Sequence, residues 1–519
     1  MKTKQKKLKM NSDTQPLDGI KGLIKHWKSE SVSGFLVFLL AMPLSLGIAK
    51  ASLFPPLYGI LTAIVGGLVV SFFMGSKLSI KGPAAGLIVI VSSCVTAFGE
   101  GESGWKMTCG IIAVAALLQI VFGALKWGSL ADYFPGTAIH GMLAAIGIII
   151  MSKQINLLFG VDPISLKGLE PIALLKHIPI SIQHENTQLM EIGLTCLGLM
   201  FILNGLPFKI LKTVPAPLVV LIVSVPLGIL LHIKTQGAIH NYALVQIGSI
   251  TDIFNSGWFQ ADFSGIYKFP SIAVQYIILF SLIGSIESLL TAKAMDRLDP
   301  YKRKTNFNSD LWAVGIGNFI CGCIGALPMI SEVARSSANI AYGAKTRWSN
   351  VFHGLFLLLA ICFAKPIIEW IPNVALSAML IYVGFKLAHP KSFIHIWKNG
   401  KLQFLVFCIT IIVTLFTDLL VGVSSGIACE FLINWSKGLS LLNTFKCNIA
   451  KITESDIVKI KIQSPLTFSN VHVLKNTLNA CSNVTTIEMV STSWMDETAQ
   501  HFISDWIQEQ PESRQLIQY

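Results

Sequence analysis

Apolar residues in this chain gather into long runs, and polar residues are pushed into short connecting stretches. A bilayer core of roughly 30 Å is crossed by about 20 apolar residues in a helix. The runs Val32 to Lys50, Leu57 to Met74, Met107 to Ala124, Ala216 to Leu231 and Ser271 to Leu290 meet or approach that length. Counting by length predicts about fourteen membrane segments, which places both termini on one side. After about Leu442 the texture changes. Asp456 to Gln463 alternates as a strand does and Asn470 to Leu478 is amphipathic with helical period; Thr485 to Val490 then predicts a second strand and Asp496 to Gln508 a second helix. That order predicts a small soluble α/β unit with paired strands.

Composition agrees with the pattern. Of 519 residues, 53% are hydrophobic and only 13% charged, and the mean hydropathy is +0.63, so a string of soluble domains is excluded. The net charge of +12 does not mark a nucleic-acid binder, because the basic residues are spread over short loops instead of one face. Taking alternate loops from the N-terminus, one set holds Lys2, Lys4, Lys6, Lys7, Lys9, Lys209, Lys212, Arg297, Lys302, Arg303, Lys304, Lys345, Arg347, Lys391, Lys398 and Lys401. The other set is far poorer; its stretch 98–106 sets Glu100 and Glu102 against Lys106. Positive-inside topology then puts both termini in the cytoplasm of an inner (plasma) membrane protein. The lysine-rich arm at residues 2–9 sets topology and meets anionic membrane lipid; a cleavable signal peptide is not expected, since the first apolar run begins only after residue 31.

The ten cysteines lie mostly inside apolar runs and lack metal-ligand spacing. His140, His353 and His389 stand apart, and no nucleophile, metal cluster or phosphate loop is evident, so neither enzymatic activity nor a cofactor is expected.

Glu287, in SLIGSIESLLTAKAM, is the most informative residue. A charge at the bilayer centre costs about 2.5 to 3.5 kcal/mol on insertion scales, so such groups face a cavity or a partner and serve transport. Thr291 follows four residues later on the same helical face. Together they are candidates to hold a coupling ion, H⁺ on the carboxylate or Na⁺ beside it.

Two segments, 75–92 (GSKLSIKGPAAGLIVIVS) and 322–339 (GCIGALPMISEVARSSAN), look like helices broken in mid-membrane. In each, a short extended piece is predicted to run into a proline, Pro83 or Pro328, with a helix starting after it. Half-helix N-termini present free N–H donors and partial positive charge, which suit an anion. The two breaks hold corresponding positions in the two halves, as inverted repeats with a midplane site require. Arg335 supplies a fixed cation for the anion or for Glu287 or Glu332, and Glu332 itself repels an anion unless it is protonated or paired. Pro43 in the first run either kinks its helix or only packs, with Ser45 and Gly47 near the same cavity.

KGPAAG at 81–86, ESLLTAKAMDRL at 287–298 and LPMISEVARSSANIAYGAKTRWSN at 327–350 resemble the SulP family of anion transporters over nearly the whole chain. The resemblance implies an all-α polytopic membrane region of fourteen segments in two inverted repeats of seven, about 31–232 and 270–440, forming a core and a dimer-making scaffold. A basic N-terminal arm, 1–30, would precede it. A short cytoplasmic STAS domain, 441–519, would follow; KIQSPLTFSN and SWMDETAQHF resemble one cut to its minimum. The resemblance also implies a homodimer, with an anion site at Ala84, Ala85 and Gly86 facing Ser331, Glu332 and Val333, with Arg335 beside it. Coupling falls on Glu287 and Thr291, with Na⁺, where it is the coupling ion, also meeting the backbone near Ser331 and Val333. Leu44 after Pro43, where many sulfate-transporting members have glutamine, and Glu332, at a usually small or hydroxylic position, depart from the sulfate pattern. The Pro-Leu-Ser wording at 43–45 is closer to bicarbonate-transporting members, so sulfate and bicarbonate both stand, as do an anion channel, an exchanger and a STAS-linked signalling protein.

Overall fold

The computed structural model describes residues 15–129, 134–166, 169–183, 186–205, 215–233, 243–248, 257–417, 419–441, 444–454, 457–479, 484–489, 495–509 and 516–518. The lysines at 2–9, Lys209 and Lys212 lie outside them. In chain order the first half contains α1 (Gly19–Ala51), α2 (Pro56–Leu68), strand β1 (Ile80–Pro83), α3 (Ile88–Ala97), α4 (Gly101–Ala124), α5 (Gly136–Leu158), α6 (Pro171–Gln183), α7 (Thr187–Gly205) and α8 (Ala216–Leu230). The second half contains α9 (Pro270–Leu298), α10 (Phe307–Ile324), strand β2 (Met329–Glu332), α11 (Val333–Ala341), α12 (Trp348–Phe363), α13 (Asn373–Leu387), α14 (Lys401–Phe416) and α15 (Leu419–Ser436).

Among the described residues six helices are long and apolar enough to cross a membrane, and five more apolar helices are shorter. The first helix starts at Gly19, well before its apolar run, because Asp18 caps it by accepting from Gly19 N–H at 2.9 Å. Asp18 also pairs with Arg347 at 3.1 Å and with Lys77, tying this end of α1 to the loops before β1 and α12.

The helices form two bundles, each drawing on both halves of the chain. One packs α1–α4 with α9–α12; the other packs α5–α8 with α13–α15, and α1 borders both through α8 and α13. The first bundle is not all-helical. At its centre β1 and β2 pair antiparallel, Ile80 opposite Glu332 and Pro83 opposite Met329. The two breaks are thus one joint, in which each extended segment supplies the backbone partner the other lacks.

Here the proline reading is corrected in part. Pro83 does precede a helix, through a tight 3₁₀ turn at Ala85–Leu87. Pro328 instead precedes strand β2, and α11 starts only at Val333. The chain leaves α10 through Gly325, whose φ of 84° makes a left-handed C-cap, and it must stay extended across from β1 before it can coil.

Side chains finish the joint. Asn318 Oδ1 accepts from Met329 N–H at 2.6 Å, Ser336 Oγ from Ile80 N–H at 2.8 Å, and Asn339 Nδ2 donates to Leu78 O at 3.0 Å. Beneath the strands lies a fully buried ion pair. Lys81 Nζ of β1 reaches both carboxylate oxygens of Asp310 on α10, at 2.8 and 2.7 Å, and also contacts Ser331 Oγ of β2. Asp310 additionally accepts from Ser76 N–H at 3.1 Å and from Ser331 Oγ at 3.3 Å.

The tail is an α/β unit with strand order β3-β4-β5-β6: β3 (Ile449–Glu454), β4 (Ile457–Ile462), β5 (Val484–Met489) and β6 (Leu516–Gln518), with α16 (Val471–Asn479) and α17 (Glu497–Glu509). β3 and β4 form a hairpin, and β4–β5 and β5–β6 are parallel. The two predicted strands are the central pair; β3 and β6 are additional edge strands. Ile460, Ile462, Leu466, Leu474 and Ala499 make its core. It rests on the second bundle, where Thr498 Oγ1 accepts from Gly136 N–H at 2.9 Å and Phe468 meets Phe431 at 4.9 Å between ring centroids.

Removing one partner of a buried ion pair typically costs about 3 to 5 kcal/mol, while replacing both with apolar groups is far milder. Lys81→Met and Asp310→Asn should each lower the thermal midpoint of the purified protein, followed by tryptophan fluorescence, and the K81M/D310L double variant should recover most of the loss. A midpoint unmoved by either single change would show that the pair does not hold the joint.

Candidate functional site

The joint aims two helix N-termini at one place. β1 ends at Pro83, the chain turns through Ala84, and the helix then runs away from the strand pair; β2 ends at Glu332, and α11 runs away from Val333. Ala84–Gly86 and Ser331–Val333 are therefore brought together as expected. Their link is direct, since Ala85 N–H donates to Glu332 Oε1 at 3.3 Å. Val333, the first residue of the second half-helix, is 52% exposed.

Glu287 reaches the same place from α9. Its side chain is 7% exposed, and Oε1 has no hydrogen-bond partner. The carboxylate lies so close over Gly86 that a Cβ there would sit 2.3 Å from Oε1; glycine at 86 is what admits Glu287 to the half-helix start. One residue on, Ser288 Oγ accepts from Ser331 N–H at 3.2 Å and lies 3.2 Å from Ser331 Oγ. Thr291 is buried a turn further along α9.

Arg335 is fully buried in the first turn of α11, and Nε, Nη1 and Nη2 all lack hydrogen-bond partners. Its Nη1 packs against Gly82 of β1, where a Cβ would come within 2.3 Å. A guanidinium with every donor unused is costly to bury, and it gives the site a standing positive charge. His353 of α12 is buried near it with neither ring nitrogen hydrogen-bonded.

The first helix also reaches a cavity separate from the joint. A cavity of about 580 Å³ opens between the bundles, lined by Gly47 and Lys50 of α1, Ile90 of α3, Lys153 of α5, Tyr276 of α9 and Leu376 of α13. Gly47 lines it, but Pro43 and Ser45 do not. Pro43 lies one turn deeper in α1 and is buried, and the Ser45 backbone carbonyl is packed against Gly59 of α2. Its lining comes no nearer than Val89 on the Gly86 side and Leu279 on α9, the helix that carries Glu287.

The residues that sequence reasoning missed are those that build the joint: Lys81, Asp310, Ser288, Asn318, Ser336 and Asn339. Lys81 and Asp310 carried the same signal as Glu287, a charge inside or beside an apolar run.

Curated relatives align over most of this chain. A putative sulfate transporter of Bacillus subtilis is 23% identical over 468 residues, covering 88% of this chain and 83% of its own length. The bicarbonate transporter BicA of a Picosynechococcus strain is 24% identical over 414 residues, covering 78% of this chain and 69% of its own. Among solved structures, the transmembrane domain of a cyanobacterial bicarbonate transporter BicA superposes with a TM-score of 0.65 at 22% identity, over 77% of this chain and 97% of that one. Murine solute carrier 26 family member A9, an anion transporter in the inward-facing state, gives 0.67 at 15% identity, over 95% and 84%. These two likenesses establish a shared fold. The sulfate permease family profile matches residues 28–410, and with more than half of the sequence so matched, the chain belongs to that family.

Proposed function

We propose that this protein is a secondary active transporter of a small inorganic anion, sulfate or bicarbonate, with movement of the anion coupled to H⁺ or Na⁺ at Glu287. Membership of the sulfate permease family makes it a membrane anion transporter and not an enzyme. The observation that carries the coupled-transport reading is the joint itself: two half-helix N-termini held face to face by β1 and β2, beside a buried guanidinium with no hydrogen-bond partner and a buried carboxylate with an unpartnered oxygen. Helix N-termini and an arginine supply donors and positive potential for an anion, and a buried carboxylate supplies a seat for a cation.

The arrangement around the site is part of the reading. Fourteen membrane segments in two inverted repeats, 31–232 and 270–440, are supported by the antiparallel β1–β2 pairing, which a two-fold axis in the membrane plane produces. Plasma-membrane location and cytoplasmic termini are supported by the charge segregation of the loops. The parallel strands and crossover helices of 441–519 support a minimal STAS domain, and the second bundle is the surface proposed to form the homodimer.

Uptake of labelled sulfate and, separately, bicarbonate into proteoliposomes under an imposed H⁺ or Na⁺ gradient tests the reading. Wild type is expected to accumulate one of the two, and Glu287→Gln to lose gradient-driven accumulation. Flux that ignores the gradient and is unchanged in the variant would identify a channel or exchanger instead. Deleting residues 441–519 is expected to leave coupled uptake in place, because every site residue lies in the membrane region; abolished uptake by a correctly inserted truncated protein would make the tail part of the transport cycle.

A further inference from the structure

The cavity between the bundles holds a cation that the joint does not use. Lys50, in the last turn of α1, and Lys153 of α5 line it from opposite bundles; Gln154 of α5 and Ser377 of α13 add a buried amide and a buried hydroxyl. Among the described residues none of these four side chains makes a hydrogen bond or an ion pair. Two acids line the same cavity. Glu100 faces Lys153, and Glu170 stands exposed at the rim. No charged group faces Lys50. An ammonium set in a largely apolar wall without a counter-charge is unfavourable, so Lys50 is short of an anion.

Its place suits a first contact with solute. α1 runs 33 residues from Gly19 to Ala51, about 50 Å at 1.5 Å per residue, so Lys50 and Asp18 lie at opposite membrane faces. Exposed Leu53, Glu170 and Thr417 belong to the cavity rim. The cavity therefore opens at the face away from Asp18, the outer one in the proposed topology. Its volume of about 580 Å³ is many times the roughly 30 Å³ of a water molecule, so a small oxyanion enters with part of its hydration shell.

We propose that this cavity is a capture site for the transported oxyanion, distinct from the joint, with Lys50 as its principal cation. The anion is held there partly hydrated, by the charge of Lys50, with Gln154 and Ser377 as neutral donors; Lys153 attracts it less, because Glu100 offsets its charge. Such a site selects by charge, whereas the half-helix starts select by hydrogen-bond geometry. A cation in a low-dielectric cleft raises the local anion concentration and on-rate about 10- to 1000-fold. From there the anion has the Val89 side of α3 to pass on its way to Gly86, three residues earlier in the chain. The inference rests on the reading of the protein as an anion transporter.

A lysine in the last turn of a helix also suits the helix C-terminus. That role alone alters stability and leaves the anion dependence of uptake as it was, so the test changes the charge at one fixed position. Uptake into proteoliposomes is measured against the concentration of labelled sulfate, or of labelled bicarbonate if that is the anion accumulated, for wild type, Lys50→Gln, Lys50→Arg and Lys50→Cys. The Gln and Cys variants are expected to raise KM about tenfold or more at a near wild-type maximal rate, and the Arg variant to keep KM close to wild type. A methanethiosulfonate that attaches an ethylammonium group to K50C should return KM toward wild type, and one that attaches an ethylsulfonate should raise it further; wild type treated in parallel corrects for the native cysteines. A KM unmoved in K50Q, or equal responses of K50C to the two reagents, overturns the capture site and leaves anion transport standing. Should the Lys50 variants fail to insert, Glu100→Gln decides: it leaves Lys153 uncompensated and is expected to lower KM about twofold or more, and an unchanged or raised KM overturns the capture site. If wild type takes up neither anion under any gradient, the transport reading itself fails and the capture site with it.

Discussion

Inside a bilayer no water satisfies a backbone N–H or C=O, and this constraint organises the molecule. Breaking a helix in mid-membrane exposes such groups at a cost of several kcal/mol each unless protein replaces the water. Here each broken segment is the other's partner through β1 and β2, and what the short ladder leaves unpaired is met by Asn318, Ser336 and Asn339. The Lys81–Asp310 pair then binds one strand to the neighbouring helix. Because both strands are needed to satisfy either, the same hydrogen bonds that make the break tolerable hold the two half-helix starts at one separation.

Much of this was legible in the sequence, and the missing part has a physical reason. Long apolar runs announce spanning helices because the bilayer fixes their length, and Glu287 stood out because an intramembrane carboxylate is expensive. Glycine and proline marked both breaks. What local pattern does not hold is pairing: Lys81 and Asp310 are separated by 229 positions, and Ala85 and Glu332 by 247. Pro328 illustrates the limit. A proline ahead of a helical stretch reads as a helix start, yet the need to pair with β1 keeps Met329–Glu332 extended and delays the helix to Val333. In the tail the central strands β4 and β5 were readable, whereas the edge strands β3 and β6 owe their conformation to neighbours already in place.

The division into two bundles sets the candidate site groups apart from the large cavity. The candidate site groups belong to the first bundle, although the Ala85–Leu87 turn also packs against α5 of the second. The 580 Å³ cavity instead lies between bundles, with walls from α1, α3 and α9 on one side and α5 and α13 on the other.

Charge counting gives the site its last constraint. The Lys81–Asp310 pair is closed on itself, which leaves Arg335 as the cation facing two carboxylates, Glu287 and Glu332. With both ionised the site is already negative before any substrate enters. Unit charges a few ångströms apart interact by about 4 kcal/mol even at an effective dielectric near 20, so adding an anion to that set is opposed by more than the half-helix termini return at their typical strength of about 0.3 to 2 kcal/mol. The proposed coupling of the anion to H⁺ or Na⁺ is an arrangement that offsets this repulsion.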